Sequence, residues 1–118
     1  MTEGSNFLSN PESCRIDDAK ITDYLMNEEH EQGGSKAKFF KAVGFENPCL
    51  EDFQIMLHRH AKNNPIATTE SYNYGTKFVI DCNVKMPNGK MYCIRTVWSD
   101  HHDGLPPRLI TAHPRSKN

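Results

Sequence analysis

The chain has 118 residues, 36% of them apolar, and a formal net charge of −1. This length favours one domain with a hydrophobic core, and the composition argues against a disordered chain. No apolar run approaches the roughly 20 residues needed to cross a bilayer, and residues 1–10 lack the pattern of a secretion signal. We therefore expect a soluble, cytoplasmic protein with no membrane partner.

Acidic and basic residues are divided unevenly along the chain. Residues 1–65 carry 7 Lys/Arg against 11 Asp/Glu, a balance of −4, whereas residues 66–118 carry 7 against 4, a balance of +3. The basic half could receive an anionic ligand, or the difference is ordinary scatter of surface charge. Both interpretations stay open.

The cysteines and histidines do not form a metal-binding pattern. Cys14, Cys49, Cys82 and Cys93 are widely spaced with no Cys-x-x-Cys, which favours free thiols, although Cys82 and Cys93 flank a predicted hairpin and could come close. The adjacent histidines of the 101–103 loop would rarely bind one ion unaided. We expect neither a metal nor an organic cofactor.

Three helices are predicted in the first half of the chain. Apolar residues recur at helical spacing over about residues 19–26, over Gly33–Gly44 and over Leu50–Lys62. Residues 1–14 have little to bury and are expected to form a loose lead-in.

The start of the second helix has two interpretations. Ser35 can cap the first helical turn. The Gly-Gly-Ser-Lys sequence at residues 33–36 also resembles a phosphate cradle, because free amides at a helix N-terminus attract anions. The spacing of a P-loop is absent.

From Ile66 onward the hydrophobic period changes from about 3.6 to 2, which predicts strands. The predicted strands are Ile66–Tyr72, Thr76–Val84, Met91–Trp98 and Pro107–Pro114. Pro87-Asn88-Gly89 predicts a tight hairpin turn. The expected fold is α+β, with two or three N-terminal helices followed by a four-stranded antiparallel β-meander packed on them. We expect one domain over residues 15–114 and a tail over residues 115–118.

Alternation in the last two strands decides which polar groups can meet. Strict alternation places Leu109, Thr111 and His113 on one face of the last strand. Arg95 of the preceding strand shares a surface with Thr111 and His113 only if the two strands pair in a suitable register, which the sequence does not fix.

Several polar residues are of the types that metal-independent RNA cleavage needs. Such cleavage requires a base for the 2′-hydroxyl proton, cations for the charged phosphorane and an acid for the leaving 5′-oxygen. The candidates are His60, Lys77, Arg95, Arg108, Thr111 and His113. Bases of RNA commonly stack on exposed aromatics, which Tyr72, Tyr74 or Trp98 could provide, although Trp98 also fits a core position.

Four motifs resemble those of a bacterial domain family of unknown function. They are Gly-Gly-Ser-Lys-Ala-x-Phe-Phe at residues 33–40, Tyr-Gly-x-Lys at 74–77, Arg-Thr-Val-Trp at 95–98 and Pro-Arg-Leu-Ile-Thr-Ala-x-Pro at 107–114. Members of that family occur as free-standing proteins and as C-terminal tips of large secreted toxins. Its layout is similar to the barnase, EndoU, colicin and RelE-like ribonuclease superfamily. The chain departs from the family's pattern at His113, where Tyr is usual.

The resemblance implies a toxin-like, metal-independent endoribonuclease of a toxin–antitoxin or toxin–immunity system. Its partners would be RNA and a small antitoxin or immunity protein. The catalytic candidates are His60, Arg95 and Thr111. The substrate-binding candidates are Lys36, Lys77, Arg108 and His113.

The alternative hypothesis is a non-catalytic protein-binding module. The near-neutral net charge favours it, because strong RNA binders usually carry an evident basic surface. Convergence of Lys77, Arg95 and Arg108 in one cleft would favour the enzyme. Scatter of these residues, with Arg95 paired to an acid such as Asp81, would favour the module.

Overall fold

The computed structural model describes residues 7–25, 27, 29, 34–45 and 50–115. Within them the α+β prediction is confirmed, since helices precede a four-stranded antiparallel sheet. The helices are α1 (Asp18–Lys20), which continues as a π-helical turn (Ile21–Leu25), α2 (Gly34–Ala42) and α3 (Leu50–Asn63). The strands are β1 (Ile66–Tyr72), β2 (Gly75–Lys85), β3 (Met91–Asp100) and β4 (Arg108–Pro114). None of the helices in the described ranges is long and apolar enough to cross a membrane.

Helix α3 supports the sheet through one apolar side. Phe53, Leu57 and Ala61 recur every four residues and are buried, which fits a helix lying against β2 and β3. Helix α2 adds Phe40, whose ring lies 4.8 Å from that of Phe53. The side chain of Ser35, which was expected to cap this helix, is not among the described side chains. Gly33 of the predicted anion site and Cys49 lie outside the described residues.

The four strands pair in chain order, β1-β2-β3-β4. A two-residue turn joins β1 to β2 and ends at Gly75, where φ is +148° and an added Cβ would collide with the carbonyl oxygen of Asp100. The predicted turn between β2 and β3 is confirmed, because Gly89 takes the positive φ of +86° that tight hairpins need.

A β-bulge in β4 changes the faces that strict alternation predicts. Val97 pairs with Thr111, but the next residue, Trp98, pairs with Leu109, so Ile110 is the extra residue. Leu109 is therefore buried in the core while Thr111 faces the other side of the sheet. The prediction that Leu109 shares a face with Thr111 and His113 is wrong, because the bulge reverses the alternation.

The segment before α1 packs more closely than a loose lead-in. Leu8 and Cys14 are buried in the core. The Arg15 amide donates to the carbonyl of Pro107, and the Leu109 amide donates to the carbonyl of Arg15, each at 2.8 Å. This segment therefore covers the outer edge of β4, and packing begins ahead of the expected boundary at residue 15.

Candidate functional site

Within the described ranges the helices pack on one face of the sheet, and we call the opposite face the outer face. The register of the strands defines its residues. Among the described residues they are Thr68, Glu70 and Tyr72 of β1, Lys77, Val79, Asp81, Asn83 and Lys85 of β2, Met91, Cys93, Arg95, Val97 and Ser99 of β3, and Arg108, Thr111 and His113 of β4. This face is the broad surface on which polar side chains of all four strands can meet.

A row of charged side chains crosses the outer face. Asp81, Arg95 and His113 are directly paired on three neighbouring strands. Arg95 donates to Asp81 through Nε at 2.7 Å and through a terminal nitrogen at 3.0 Å, which is a bidentate ion pair. Nε of Arg115 lies 3.4 Å from the same carboxylate. Two guanidinium groups therefore share one carboxylate, which leaves an excess of positive charge.

The ion pair fixes the charge states of both partners. Hydrogen bonds from Arg95 hold the pKa of the Asp81 carboxyl below its ordinary value, and those bonds raise the pKa of the Arg95 guanidinium. The side chains of Arg95 and Arg115 nevertheless remain 38% and 45% exposed. Both cations are thus oriented by Asp81 yet accessible to an anion.

His113 is held in one tautomer. Its Nδ1 lies 3.1 Å from the carbonyl oxygen of Pro114, which can only accept, so Nδ1 carries the proton in the neutral ring. Nε2 then has a free lone pair and can act as a base. Thr111 lies two residues earlier on the same strand, and pairs with Val97. The register therefore brings Arg95, Thr111 and His113 to one surface.

His60 lies on the opposite side of the sheet and is fully buried. Its Nε2 donates to the carbonyl of Ile94, while the Thr96 hydroxyl donates to Nδ1 and accepts from Nε1 of Trp98. Burial lowers the pKa of His60 from 6.5 to about 4, so the ring is neutral near pH 7. Both ring nitrogens of His60 have a partner, and we therefore assign this residue a structural role.

The remaining substrate-binding candidates do not converge with Arg95. Lys77 lies on the outer face, with Nζ 4.7 Å from the centre of the Tyr72 ring. Arg108 begins β4 opposite Ser99, four residues along β3 from Arg95, and its Nε is 3.6 Å from a carboxylate oxygen of Asp17. Lys36 belongs to α2 in the helical layer. Arg95 is thus paired with Asp81 and is separated from Lys77 and Arg108, which is the arrangement expected of a protein-binding module.

One residue of the site, Arg115, is not among the candidates that the sequence indicates. The sequence predicts that Arg115 belongs to the C-terminal tail, but its amide donates to the carbonyl of Cys93 at 2.9 Å and so extends the β4 ladder. Continued alternation two residues beyond His113 is the signal that could have found it. Cys82 and Cys93 are free thiols in mutual contact, and burial raises the pKa of Cys93 to about 11.

No group of three or more His, Cys, Asp or Glu side chains in the described ranges is placed to hold a metal ion. The histidines at residues 101–102 lie in the loop between β3 and β4, where Nε2 of His102 bonds Thr76.

Comparison with solved structures identifies a similar fold. A chain of a contact-dependent growth inhibition toxin–immunity protein complex from Klebsiella pneumoniae 342 matches with a TM-score of 0.70 and 20% identity. The match covers 91% of this chain and 97% of that chain. No curated protein matches the sequence significantly. A family model matches residues 7–116, and the chain therefore belongs to the family described as "Domain of unknown function (DUF6883)".

Proposed function

We propose that this protein is a toxin-type endoribonuclease that cleaves RNA without a metal at the outer face of its sheet. The observation that carries the proposal is the shared position of Arg95, Arg115 and His113, with Thr111 beside them. RNA transesterification requires cations to stabilise the phosphorane and a group that takes up and returns a proton, and the two arginines and His113 are of these types. The similarity of the fold to a chain of a toxin–immunity complex also supports the proposal of a toxin-type protein.

In the chemical step His113 would act twice, first as base and then as acid, and the two arginines would act together. Nε2 of His113 accepts the proton of a 2′-hydroxyl, and the 2′-oxygen attacks the adjacent phosphorus. Arg95 and Arg115 stabilise the additional negative charge of the phosphorane. The bond to the 5′-oxygen breaks, and His113 returns its proton to that leaving group. The products are a 2′,3′-cyclic phosphate and a free 5′-hydroxyl.

The ion pair with Asp81 has a defined role in this step. Bidentate pairing orders the Arg95 fork before substrate arrives, which reduces the entropy lost on binding. The second cation, Arg115, prevents Asp81 from cancelling the local positive charge. Asp81 thus acts as a positioning residue for Arg95.

A small immunity protein is the proposed partner. A toxin that cleaves RNA must be neutralised in the cell that makes it, and an acidic surface would complement the exposed guanidinium groups of Arg95 and Arg115. Such a partner would cover the outer face and exclude RNA.

The second candidate function is a non-catalytic protein-binding module. The specific observation in its favour is that Arg95 is paired with Asp81 and does not converge with Lys77 and Arg108. In that function the outer face contacts a protein only.

Induced expression in a bacterial host separates the two candidates. The wild type should arrest growth and fragment RNA, whereas Arg95→Gln should lose about 10²- to 10³-fold activity while remaining folded. Arg59→Gln is the matched control, because Arg59 is an exposed arginine on α3 in the helical layer. Normal growth and intact RNA with abundant, folded wild type would favour the module.

A further inference from the structure

A pair of tyrosines lies at the end of the outer face, beside the turn between β1 and β2. Tyr74 is 73% exposed although it is a large aromatic residue. Its ring centre lies 5.9 Å from that of Tyr72 in an edge-to-face arrangement. Two-residue turns favour Gly, Asn or Asp, so turn chemistry does not account for Tyr74.

The surroundings hold this pair in place. The hydroxyl of Tyr72 bonds the hydroxyl of Ser99, and Nζ of Lys77 lies over the Tyr72 ring. Gly75 is packed against the backbone of Asp100, which fixes the turn that carries Tyr74. A ring that is fixed before binding loses little entropy when a ligand stacks on it.

The charge of the outer face indicates which class of ligand it can bind. Among the described residues, the cations at the outer face or its rim are Lys77, Lys85, Arg95, Arg108 and Arg115. The carboxylates are Glu70 and Asp81, with Asp17 beside Arg108, so positive charge is in excess. A cationic face with an exposed aromatic ring at one end suits the phosphates and unpaired bases of a single-stranded nucleic acid. Bases of a duplex are stacked on each other and cannot reach such a ring.

We propose that Tyr74, supported by Tyr72, is a stacking subsite for an unpaired base of single-stranded RNA. The proposal rests on the proposed ribonuclease function and adds the class of substrate. Lys77 and Asp81 are four residues apart on β2, so they are about 13 Å apart at the rise of an extended strand. That distance equals about four stacked base steps. The substrate must therefore extend several nucleotides beyond the scissile bond.

The test measures binding of an eight-residue 2′-O-methyl oligonucleotide by fluorescence anisotropy. Blocking the 2′-oxygen prevents the cleavage step, so affinity is measured independently of activity. Tyr74→Ala should weaken binding about 5- to 100-fold, the range expected for loss of one stacked base. Tyr74→Phe keeps the ring and should bind within about twofold of wild type. Ile55→Ala, an exposed apolar control on α3 in the helical layer, should bind like wild type.

Length and strandedness give further readouts. A dinucleotide should bind wild type and Tyr74→Ala equally, and a duplex should bind both more weakly than the single strand does. Equal single-strand affinity of wild type and Tyr74→Ala would overturn the subsite, and so would tighter binding of the duplex. If Tyr74→Ala instead loses only the affinity for an immunity protein, Tyr74 belongs to a protein contact and the subsite is wrong.

The subsite and the proposed function fail in different ways. Cleavage of RNA by wild type together with unchanged oligonucleotide affinity of Tyr74→Ala would refute the subsite alone. Tight, Tyr74-dependent binding without cleavage of unmodified RNA would refute the ribonuclease function alone.

Discussion

Acid should destabilise this protein through His60. The buried ring has a pKa of about 4, whereas the unfolded chain has the ordinary value of 6.5. Between these values the unfolded state binds a proton that the folded state does not, so stability falls as pH falls from 6.5 towards 4. The stability that the neutral ring contributes is fully present above pH 6.5.

The size of the effect follows from the two pKa values. Linkage between them predicts a loss of about 2 kcal/mol in the free energy of unfolding from pH 8 to pH 5. The lowered pKa of Asp81 adds a loss only at pH values below this window, because its ordinary value is already 3.8. His60 should therefore dominate the acid dependence between pH 8 and pH 5.

Urea unfolding monitored by fluorescence of the buried Trp98 measures this dependence. His60→Gln removes the titrating ring, so its stability should change little between pH 8 and pH 5, whatever its stability at pH 8. His101→Gln, an exposed loop control, should keep the wild-type slope. NMR of the wild type should show a His60 ring that does not titrate above pH 5. Parallel slopes for wild type and His60→Gln, or a His60 ring titrating near pH 6.5, would show that burial of His60 does not cause the acid dependence.

Two further predictions concern stability, and urea unfolding measures both. Gly75→Ala should cost at least about 2 kcal/mol, because its Cβ would collide with the backbone of Asp100 at a positive φ, whereas Gly104→Ala, in open space, should cost about 1 kcal/mol. Equal losses would show that the collision is relieved. Thr96→Val removes the buried hydrogen bonds of the Thr96 hydroxyl with His60 and Trp98, and should lower the free energy of unfolding by about 2 to 4 kcal/mol. Thr68→Val on exposed β1 should change stability by less than about 0.5 kcal/mol, and equal effects at the two threonines would contradict the network.

The sequence predicted the elements well where local chemistry determines them. The alternating run of β2 and the Asn88-Gly89 turn each fix their own conformation, and both appear as expected. The amphipathic pattern of α3 likewise predicted which side of that helix is buried.

The faces of β4 could not be predicted in the same way. The bulge at Ile110 depends on how β4 pairs with β3, and nothing in the local sequence marks it. It reverses the alternation after Leu109 and determines that Thr111 and His113 accompany Arg95. Register is a tertiary property, so the composition of the outer face required the structure.

The position of His60 shows a second limit. In the sequence His60 follows Phe53 and Leu57 at helical spacing, which fits both a core residue and a catalytic group. Its ring bonds Thr96 and Ile94, which are 36 and 34 positions away, and these bonds decide that the ring is buried and satisfied. Arg115 was missed because the domain was expected to end one residue earlier.

The most direct test of the account is cleavage of labelled RNA by purified protein in the presence of EDTA. The wild type should produce fragments with 2′,3′-cyclic phosphate ends, and an RNA with a 2′-deoxy residue at the cleavage position should stay intact there. His113→Gln and Arg95→Gln should each be slower by about 100-fold or more. Intact RNA with folded wild type, or cleavage that persists in both variants, would contradict the assignment of the outer face as a ribonuclease site.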